Sequence, residues 1–568
     1  DPLAILHSML AGAVEVPEAE RGAVLVEPDR ARAIAAAVAL AHAGDCVLVA
    51  GKGHEQTQTI GARVLPFHDV DEVKRALAGV ASPAFLDLGA VVSETQGTLH
   101  GALAGGLTAL AGVSTDSRAV TPRSLFVALA GEHFDAHTFA EASLRAGAGA
   151  VLVSRAHAAT QGIVEAGHGA AIVVDDTLVA LQALARAHVA KLAGTRIALT
   201  GSNGKTTTKE LIAASLKAAL GAPYVVTTAG NLNNHIGVPL TALVCEPEHK
   251  ALVFEMGMNH EGEIALLADI VKPAIGLITN IGTAHQGNFA DGAVGVARAK
   301  SELFAALPKS GVAVVNADDP QCIREAQRVA DCKHVSFGWA SWADVRLVNV
   351  SDRESGGQDL TLMYAGQSVD VAIPLEGRHN AQNAAGAVAV AVAAGLPFDV
   401  CARGLAQVHK AHGRLERITL RGDVWLLDDT YNANPDSMEA ALYALVEIAG
   451  TRKKIIVLGE MRELGAYAEQ EHRHVGAGAG AAGAHTIFAC GELGKLYLDG
   501  ARSVARTKLP GSAPAPQLSW ALTNTELAQM VVSAVGDGDV VLVKGSRGAR
   551  MEVVVDALVS ARSRENKR

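Results

Sequence analysis

The sequence contains no apolar run approaching the ~20 residues that cross a bilayer, which excludes a helical membrane span. It opens on Asp1-Pro2 with no charged n-region followed by an apolar h-region, so no secretory signal is read. Basic residues are outnumbered: 49 Lys and Arg against 59 Asp and Glu give a net charge of -10 and no basic footprint for nucleic acid. The six cysteines (Cys46, Cys245, Cys322, Cys332, Cys401 and Cys490) show no CxxC spacing. They read as reduced core thiols, which places the protein in the cytoplasm. Charged residues make up only 19% and hydrophobic ones 49%, so a large core is available. At ~150 residues per domain, a chain of 568 residues holds three or four domains. Alanine and glycine are abundant and read as codon bias rather than mechanism.

What the chain does have is Thr195-Arg-Ile-Ala-Leu-Thr-Gly-Ser-Asn-Gly-Lys-Thr-Thr-Thr-Lys-Glu210. Ile197 to Thr200 reads as a buried strand, Gly201 to Gly204 as a tight loop, and Thr206 to Leu220 as a helix. In that order, backbone N–H groups of the loop and helix start face an anion. Lys205 adds a point charge, and the Thr206 hydroxyl is placed to ligate Mg²⁺. The spacing departs from the usual Walker pattern, whose first glycine would fall at Leu199. An ordinary strand-to-helix turn is the alternative, and Gly-Lys-Thr-Thr at a helix start favours a nucleoside triphosphate over it.

Residues 1–80 carry a helical segment, Asp29 to Ala43, leading to a buried strand in Gly44-Asp-Cys-Val-Leu-Val-Ala-Gly-Lys-Gly-His-Glu55. Gly44, Asp45, Val47, Leu48, Val49 and Gly51 recur as Gly538, Asp539, Val541, Leu542, Val543 and Gly545. The segment therefore reads as the tail of a related upstream module, loosely attached or partly disordered, with a linker at Ala78 to Ala84. Residues 85–190 read as a small α/β unit. The two His of its loop Gly131 to Phe139 read as surface or capping residues rather than metal ligands. Residues 191–413 alternate buried strands (Val225 to Thr227, Ala251 to Met256, Ala274 to Thr279, Val312 to Asn316) with helix-length segments. Such alternation predicts a mainly parallel sheet with ligands gathered at the strand ends, where Glu255, His285 and Asn316-Ala-Asp-Asp319 stand. Residues 414–568 form a third α/β unit, with strands at Leu426, Lys453, Thr486 and Val540, and a solvated charged tail, Arg562 to Arg568.

Six stretches in this order resemble the Mur ligases of bacterial cell-wall synthesis. They are Gly201-Ser-Asn-Gly-Lys-Thr206, Ala229-Gly-Asn-Leu-Asn-Asn-His-Ile-Gly-Val-Pro-Leu240, Ala299-Lys-Ser-Glu302, Pro374-Leu-Glu-Gly-Arg-His-Asn380, Asp428-Asp-Thr-Tyr-Asn-Ala-Asn434 and Leu542-Val-Lys-Gly-Ser-Arg547. The resemblance covers the whole chain beyond the linker. It implies an N-terminal UDP-binding α/β domain, a central P-loop ATPase domain and a C-terminal Rossmann-like domain. Within the family the Asn-rich forms resemble the ligase that adds D-alanyl-D-alanine to UDP-N-acetylmuramoyl-tripeptide, using ATP and Mg²⁺ through an acyl phosphate. Gly51-Lys-Gly-His-Glu55 is similar to the end of the ligase acting one step earlier. That ligase's other domains are missing, so the 1–80 segment is expected to be catalytically silent.

By the same resemblance, Gly201, Asn203, Gly204, Lys205, Thr206 and Thr207 hold the ATP phosphates, Asn380 the adenine and Asp429 the ribose. Arg414 reaches the phosphates from the hinge of the third domain. Thr206, Glu255 and His285 hold magnesium, joined by Lys300 once carbamylated; from its position alone Lys300 is a surface helix lysine. Lys205, Glu255, His285, Lys300 and Arg414 carry the catalysis. Asn233 and Asn234 position the peptide-bearing nucleotide, and Asp116, Ser117, Arg118, Phe134, Asp135 and His137 its UDP end. Lys544, Ser546 and Arg547 face the amino substrate. The family implies a cytoplasmic monomer, with contacts to other cell-wall enzymes, whose third domain swings in to complete the site. Two other readings use the same loop. Folylpolyglutamate synthase shares the activation chemistry and lacks a separate nucleotide-sugar domain, so the 85–190 unit counts against it. A non-catalytic scaffold fits poorly with intact Lys205, Glu255, His285 and Lys300.

Overall fold

Apolar β-branched runs separated by helix-length segments fold into two large sheets in the later part of the chain and a smaller one before them. The computed structural model describes residues 86–563 except 104–107, 132–133, 158, 167–168, 411 and 508–513, and before them 12, 26–27, 30–41, 46–50, 57–60, 63–66, 68–70 and 73. The chain divides into two units, 1–187 and 188–568.

In the first unit, a five-stranded sheet runs in the order Thr98–His100, Ala170–Val174, Ala150–Ser154, Leu125–Val127, Val113–Ser114. Its parallel inner strands are buried along nearly their whole length, which is why they read as unbroken apolar runs. Arg30–Leu40 is helical, and Arg30 pairs with Asp69 at 2.7 Å. The buried strand expected between Gly44 and Glu55 is not found over Cys46–Ala50. These residues form no strand, and Val47 and Leu48 are 39% and 87% exposed. The matching run Val540–Lys544 is a strand because Val424–Asp429 and Lys454–Leu458 hydrogen-bond to it on its two sides. No described residue offers 46–50 such a ladder, and apolar pattern alone leaves a strand's backbone groups unpaired. The linker Ala78 to Ala84 and the tail beyond residue 563 lie outside the described residues. Arg562 itself closes the helix Glu552–Arg562 and bonds Asp537 at 2.9 Å.

The second unit holds a nine-stranded sheet. Its parallel part runs Val225–Thr227, Ala251–Glu255, Thr195–Thr200, Ile275–Ile278, Val312–Asn316, Lys333–Gly338, Val345–Asp352. The expected mainly parallel sheet is there, with an extension the alternation did not foresee: Val345–Asp352, Gln358–Tyr364 and Gln367–Ile373 form an antiparallel meander. Its signal was period-2 burial, with Leu360, Leu362, Val369, Val371 and Ile373 facing the core and alternating with less buried residues such as Thr361 and Asp370. Helices Lys205–Leu220 and Arg378–Ala393 pack together on this core. A six-stranded sheet follows, in the order Glu416–Leu420, Val424–Asp429, Val540–Lys544, Lys454–Leu458, Thr486–Cys490, Gln517–Ala521, parallel except for the first pair.

Glycine abundance turns out to have a local structural use. Where helix Ala468–Ala481 crosses Gly494–Thr507, a Cβ on Gly476 would lie 2.0 Å from the Tyr497 carbonyl oxygen, and one on Gly500 2.0 Å from that of Arg473. The helices meet backbone to backbone, which only a missing side chain permits. Gly476→Ala should destabilise the protein by about 2–3 kcal/mol, the upper range for overpacking, because the obstructing atom is backbone and cannot rotate away. Urea unfolding followed by tryptophan fluorescence tests it, with Gly478→Ala, whose Cβ would meet only Leu442 Cδ1 at 3.5 Å, as the tolerated control.

Candidate active site

The strand Thr195–Thr200 ends in a loop whose shape two glycines make possible. Gly204 stands at φ +79, a conformation L side chains rarely adopt, just before the helix Lys205–Leu220. The loop is strapped to the end of the neighbouring strand: Asn203 N donates to Asn280 Oδ1 (2.9 Å), Thr279 Oγ1 to Asn203 O (2.6 Å), and Gly282 N to Ser202 Oγ (2.8 Å). Lys205 Nζ donates to the Gly201 carbonyl at 2.7 Å, and desolvation pulls its ammonium below the ordinary lysine range, against the attraction of Glu255. Thr207 is buried behind the loop in the first turn of the helix.

Glu255 is the centre of a buried polar network. Its Oε1 accepts from Asn233 Nδ2 (2.9 Å) and Thr206 Oγ1 (3.3 Å), while Oε2 is buried without a hydrogen-bond partner. An anionic oxygen left open beside a threonine hydroxyl is what a hard cation such as Mg²⁺ requires. Lys209 Nζ, 1% exposed, lies 3.9 Å from that oxygen. It also donates to the Thr228 carbonyl at 2.8 Å, joining the loop helix to the turn that leads to Asn233. Asn234 Oδ1 accepts from Gly237 N at 2.9 Å, which ties it to the start of the next helix while it lines the cavity. His285, at φ +66, has Nδ1 2.8 Å from Glu463 Oε2, which lowers the glutamate's pKa. Lys300 is 1% exposed in the helix Ala293–Ala305, not a surface lysine. Desolvation, with Lys205 adding repulsion, holds its amine well below the usual lysine range.

From the six-stranded side, Arg414 Nη2 donates to Thr206 Oγ1 at 3.2 Å, its guanidinium lies 3.9 Å from the Tyr431 ring centre, and its Nε is buried without a partner. Asp429 and Lys544 are direct neighbours across parallel strands, and this register forms their 2.6 Å ion pair. Lys544 is 2% exposed and also donates to the Asn432 carbonyl, so pairing absorbs its charge. Ser546 donates to the Glu460 carbonyl at 2.6 Å, whereas Arg547 is open at the cavity rim. Asn380 Nδ2 donates to the Glu376 carbonyl at 2.8 Å at the start of its helix. Together these groups line one cavity of about 960 Å³, with the phosphate loop, Asn233, Asn234, Glu255 and His285 on one wall and Arg414, Asp429, Lys544 and Arg547 on the other. Lys300 and Ser546 stand outside its lining. Sequence reasoning missed Lys209, Glu463, Asn434 and Asp436. The last two could have been found from Asn434-Pro-Asp436, a helix start directly after a strand end.

In the first unit, Asp116 caps the turn Ser117–Ala119 and pairs with Arg118 at 2.7 Å, which lowers its pKa to about 2. Phe134 is exposed and stacks on Phe139. His137, by contrast, is 2% exposed with both ring nitrogens used: Nδ1 meets Asp135 at 2.6 Å and Nε2 accepts from Ser154 N at 2.9 Å. Although Asp135, His137 and His157 cluster, His137 thus has no lone pair free for a metal.

Residues 109–189 match the Mur ligase family, catalytic domain, residues 199–391 the Mur ligase middle domain, and residues 413–547 the Mur ligase, glutamate ligase domain. The chain is 38% identical over 478 residues to UDP-N-acetylmuramoyl-tripeptide–D-alanyl-D-alanine ligase of Escherichia coli, covering 82% of this chain and 98% of that one. The Bacillus subtilis ligase of the same name is 36% identical, with 80% and 94% covered. A solved structure of MurF from Acinetobacter baumannii superposes with a TM-score of 0.72 at 33% identity, covering 84% of this chain and 98% of that chain.

Lys209→Met leaves the buried Thr228 carbonyl and Glu255 without their cation, and should destabilise the protein by about 3 kcal/mol. Thermal unfolding checks this, and Lys209→Arg should recover part of the loss.

Proposed function

Because the chain belongs to the Mur ligase family, we propose that it is the ATP-dependent ligase that adds D-alanyl-D-alanine to UDP-N-acetylmuramoyl-tripeptide in peptidoglycan precursor synthesis. The observation that carries this reading is the pairing of a phosphate loop with the open, buried oxygen of Glu255 in one cavity. A carboxylate is a poor electrophile, so its oxygen first attacks the γ-phosphorus of ATP, releasing ADP and forming an acyl phosphate. The dipeptide's free amine then attacks that carbonyl carbon, loses a proton, and expels inorganic phosphate as the amide forms.

The chain's own groups serve these steps by charge and by position. Backbone N–H groups of Gly204–Thr207 and the Lys205 ammonium take the phosphate oxygens, whose charge rises as they crowd the substrate carboxylate. Mg²⁺, when bound, neutralises the same oxygens; Thr206, Glu255 and His285 would hold it. Lys300 would join them once carbamylated, and its burial favours the neutral amine that carbamylation needs. Arg414 supplies a second cation from the opposite wall, Asp429 takes the ribose, and Asn380 lies on the adenine side. Asn233 aligns the peptide-bearing nucleotide. Asp116, Ser117, Arg118, Phe134 and Asp135 take its UDP end, with His137 holding their loop. Arg547 meets the amino substrate at the rim. We take 85–190, 191–413 and 414–568 as the three domains, and the protein as a cytoplasmic monomer. Among the described residues no helix is long and apolar enough to cross a membrane.

Phosphate release should require both UDP-N-acetylmuramoyl-tripeptide and D-alanyl-D-alanine and yield a product heavier by one dipeptide. With ¹⁸O in the tripeptide carboxylate, one label should appear in the released phosphate. Release driven instead by glutamylated folates would move the chain to the sister activity, and ATP binding without turnover on any substrate would make it a scaffold. Glu255→Gln should weaken Mn²⁺ binding, read by electron paramagnetic resonance, about tenfold or more, and should lower the unfolding temperature because Lys209 loses its anion.

A further inference from the structure

The two sheets of the second unit have separate hydrophobic cores. One is built from residues between Ile197 and Val408, the others from residues between Leu415 and Leu558. One chain segment joins them, and at its end Gly413 and Leu415 stand at positive φ. What holds the two halves together over the cavity is therefore a polar seam rather than a shared core.

Asp436 is the residue in this seam whose geometry is hardest to explain locally. It sits in the first turn of the helix Pro435–Ala449, where a carboxylate ordinarily serves its own helix N–H groups. Here that duty is already met by the reciprocal capping of Asn434 and Ser437. Asp436 Oδ2 instead reaches across the seam, accepting from Thr283 N at 2.7 Å and from Thr283 Oγ1 at 3.1 Å. The neighbouring Gly282 has room for it only because it lacks a side chain: a Cβ there would lie 2.1 Å from Asp436 Oδ2. Gly282 N in turn donates to Ser202 Oγ in the phosphate loop. Two residues earlier, Asn434 Nδ2 donates to Asn203 Oδ1 at 2.7 Å.

We infer that Asp436 is a positioning residue that latches the C-terminal half onto the Gly282–Thr283 turn and thereby sets the phosphate loop and Arg414 in one arrangement over ATP. It touches no reacting atom; it acts through Thr283 and Gly282. The inference rests on the ligase reading for its kinetic arm only.

The test is a double-mutant cycle of Gly282→Ala and Asp436→Ala, read as kcat/KM for ATP. Asp436→Ala removes the latch and should lower kcat/KM about tenfold, and Gly282→Ala drives a methyl into the carboxylate and should lower it about thirtyfold or more. The pair should lose no more than Asp436→Ala alone, because the methyl then has nothing to strike. Losses that multiply instead would overturn the inference. Small-angle scattering with ATP and Mg²⁺ alone separates this from a folding defect and from failure of the ligase reading. Wild type should compact on nucleotide addition, and Gly282→Ala should bind nucleotide without compacting. Compaction of Gly282→Ala equal to wild type would overturn the latch even if the wild type turned over none of the substrates.

Discussion

Gly201 passes so close to Thr279 that an added Cβ would lie 1.9 Å from the threonine hydroxyl oxygen. That approach lets Thr279 donate to the Asn203 carbonyl and brings Asn280 into reach of the Asn203 N–H. The phosphate loop is thus held by the end of the adjacent parallel strand rather than by its own turn alone. Rigid backbone N–H groups aimed at an anion are worth more than mobile ones, because no reorganisation is needed when charge develops. A bulkier residue at 201 would have to push the two strand ends apart. The site's first requirement is therefore a sheet packed closely enough to deny the loop other shapes.

Charge is the second requirement. Lys205 and Lys209 face one carboxylate, Glu255, with buried Lys300 repelling Lys205 and Arg414 reaching in from across the cavity. Unpaired buried cations are unfavourable, and each lysine meets that penalty differently. Lys205 leans on loop carbonyls, Lys209 on Thr228 and Glu255, and Lys300, left with desolvation and repulsion, is driven towards its neutral amine. Positive charge left over at the loop favours a polyanion, while the open Glu255 oxygen favours a divalent cation. A magnesium–triphosphate satisfies both at once, which neither a simple anion nor a lone metal would.

Much of this was legible in the sequence because it was local. Strand, glycine loop and helix follow one another without interruption from Thr195 to Leu220, and the strand-end residues Glu255 and His285 follow their own apolar runs. The errors came where the answer depended on distant partners. Apolar residues 46–50 carry the same pattern as Val540–Lys544, and only flanking strands make one of them a strand. Lys300 reads as an exposed helix residue because its own helix has a low contrast between faces; burial comes from what packs on it. The ion partner of Lys544 was hidden for the same reason: register across parallel strands sets it against Asp429. Glycine usage was the subtlest case: composition does not distinguish Gly476, pressed on Tyr497, from Gly478, which is nearly free.

The seam between the two halves follows the same physics in reverse. Had the halves shared an apolar core, closing would be nearly irreversible, and a ligase must open to exchange ADP for ATP. Directional hydrogen bonds such as that from Thr283 N to Asp436 lose most of their worth when water can replace either partner, so their net contribution stays at about 1.5–3 kcal/mol each. A few such bonds favour the closed arrangement modestly, and a bound nucleotide touching both walls adds the rest. Separate cores, a single connecting segment and glycines at the contact are then parts of one solution. Specificity of docking resides in geometry, where Gly282 and Gly287 leave no room for other registers, and reversibility resides in the weakness of the individual bonds.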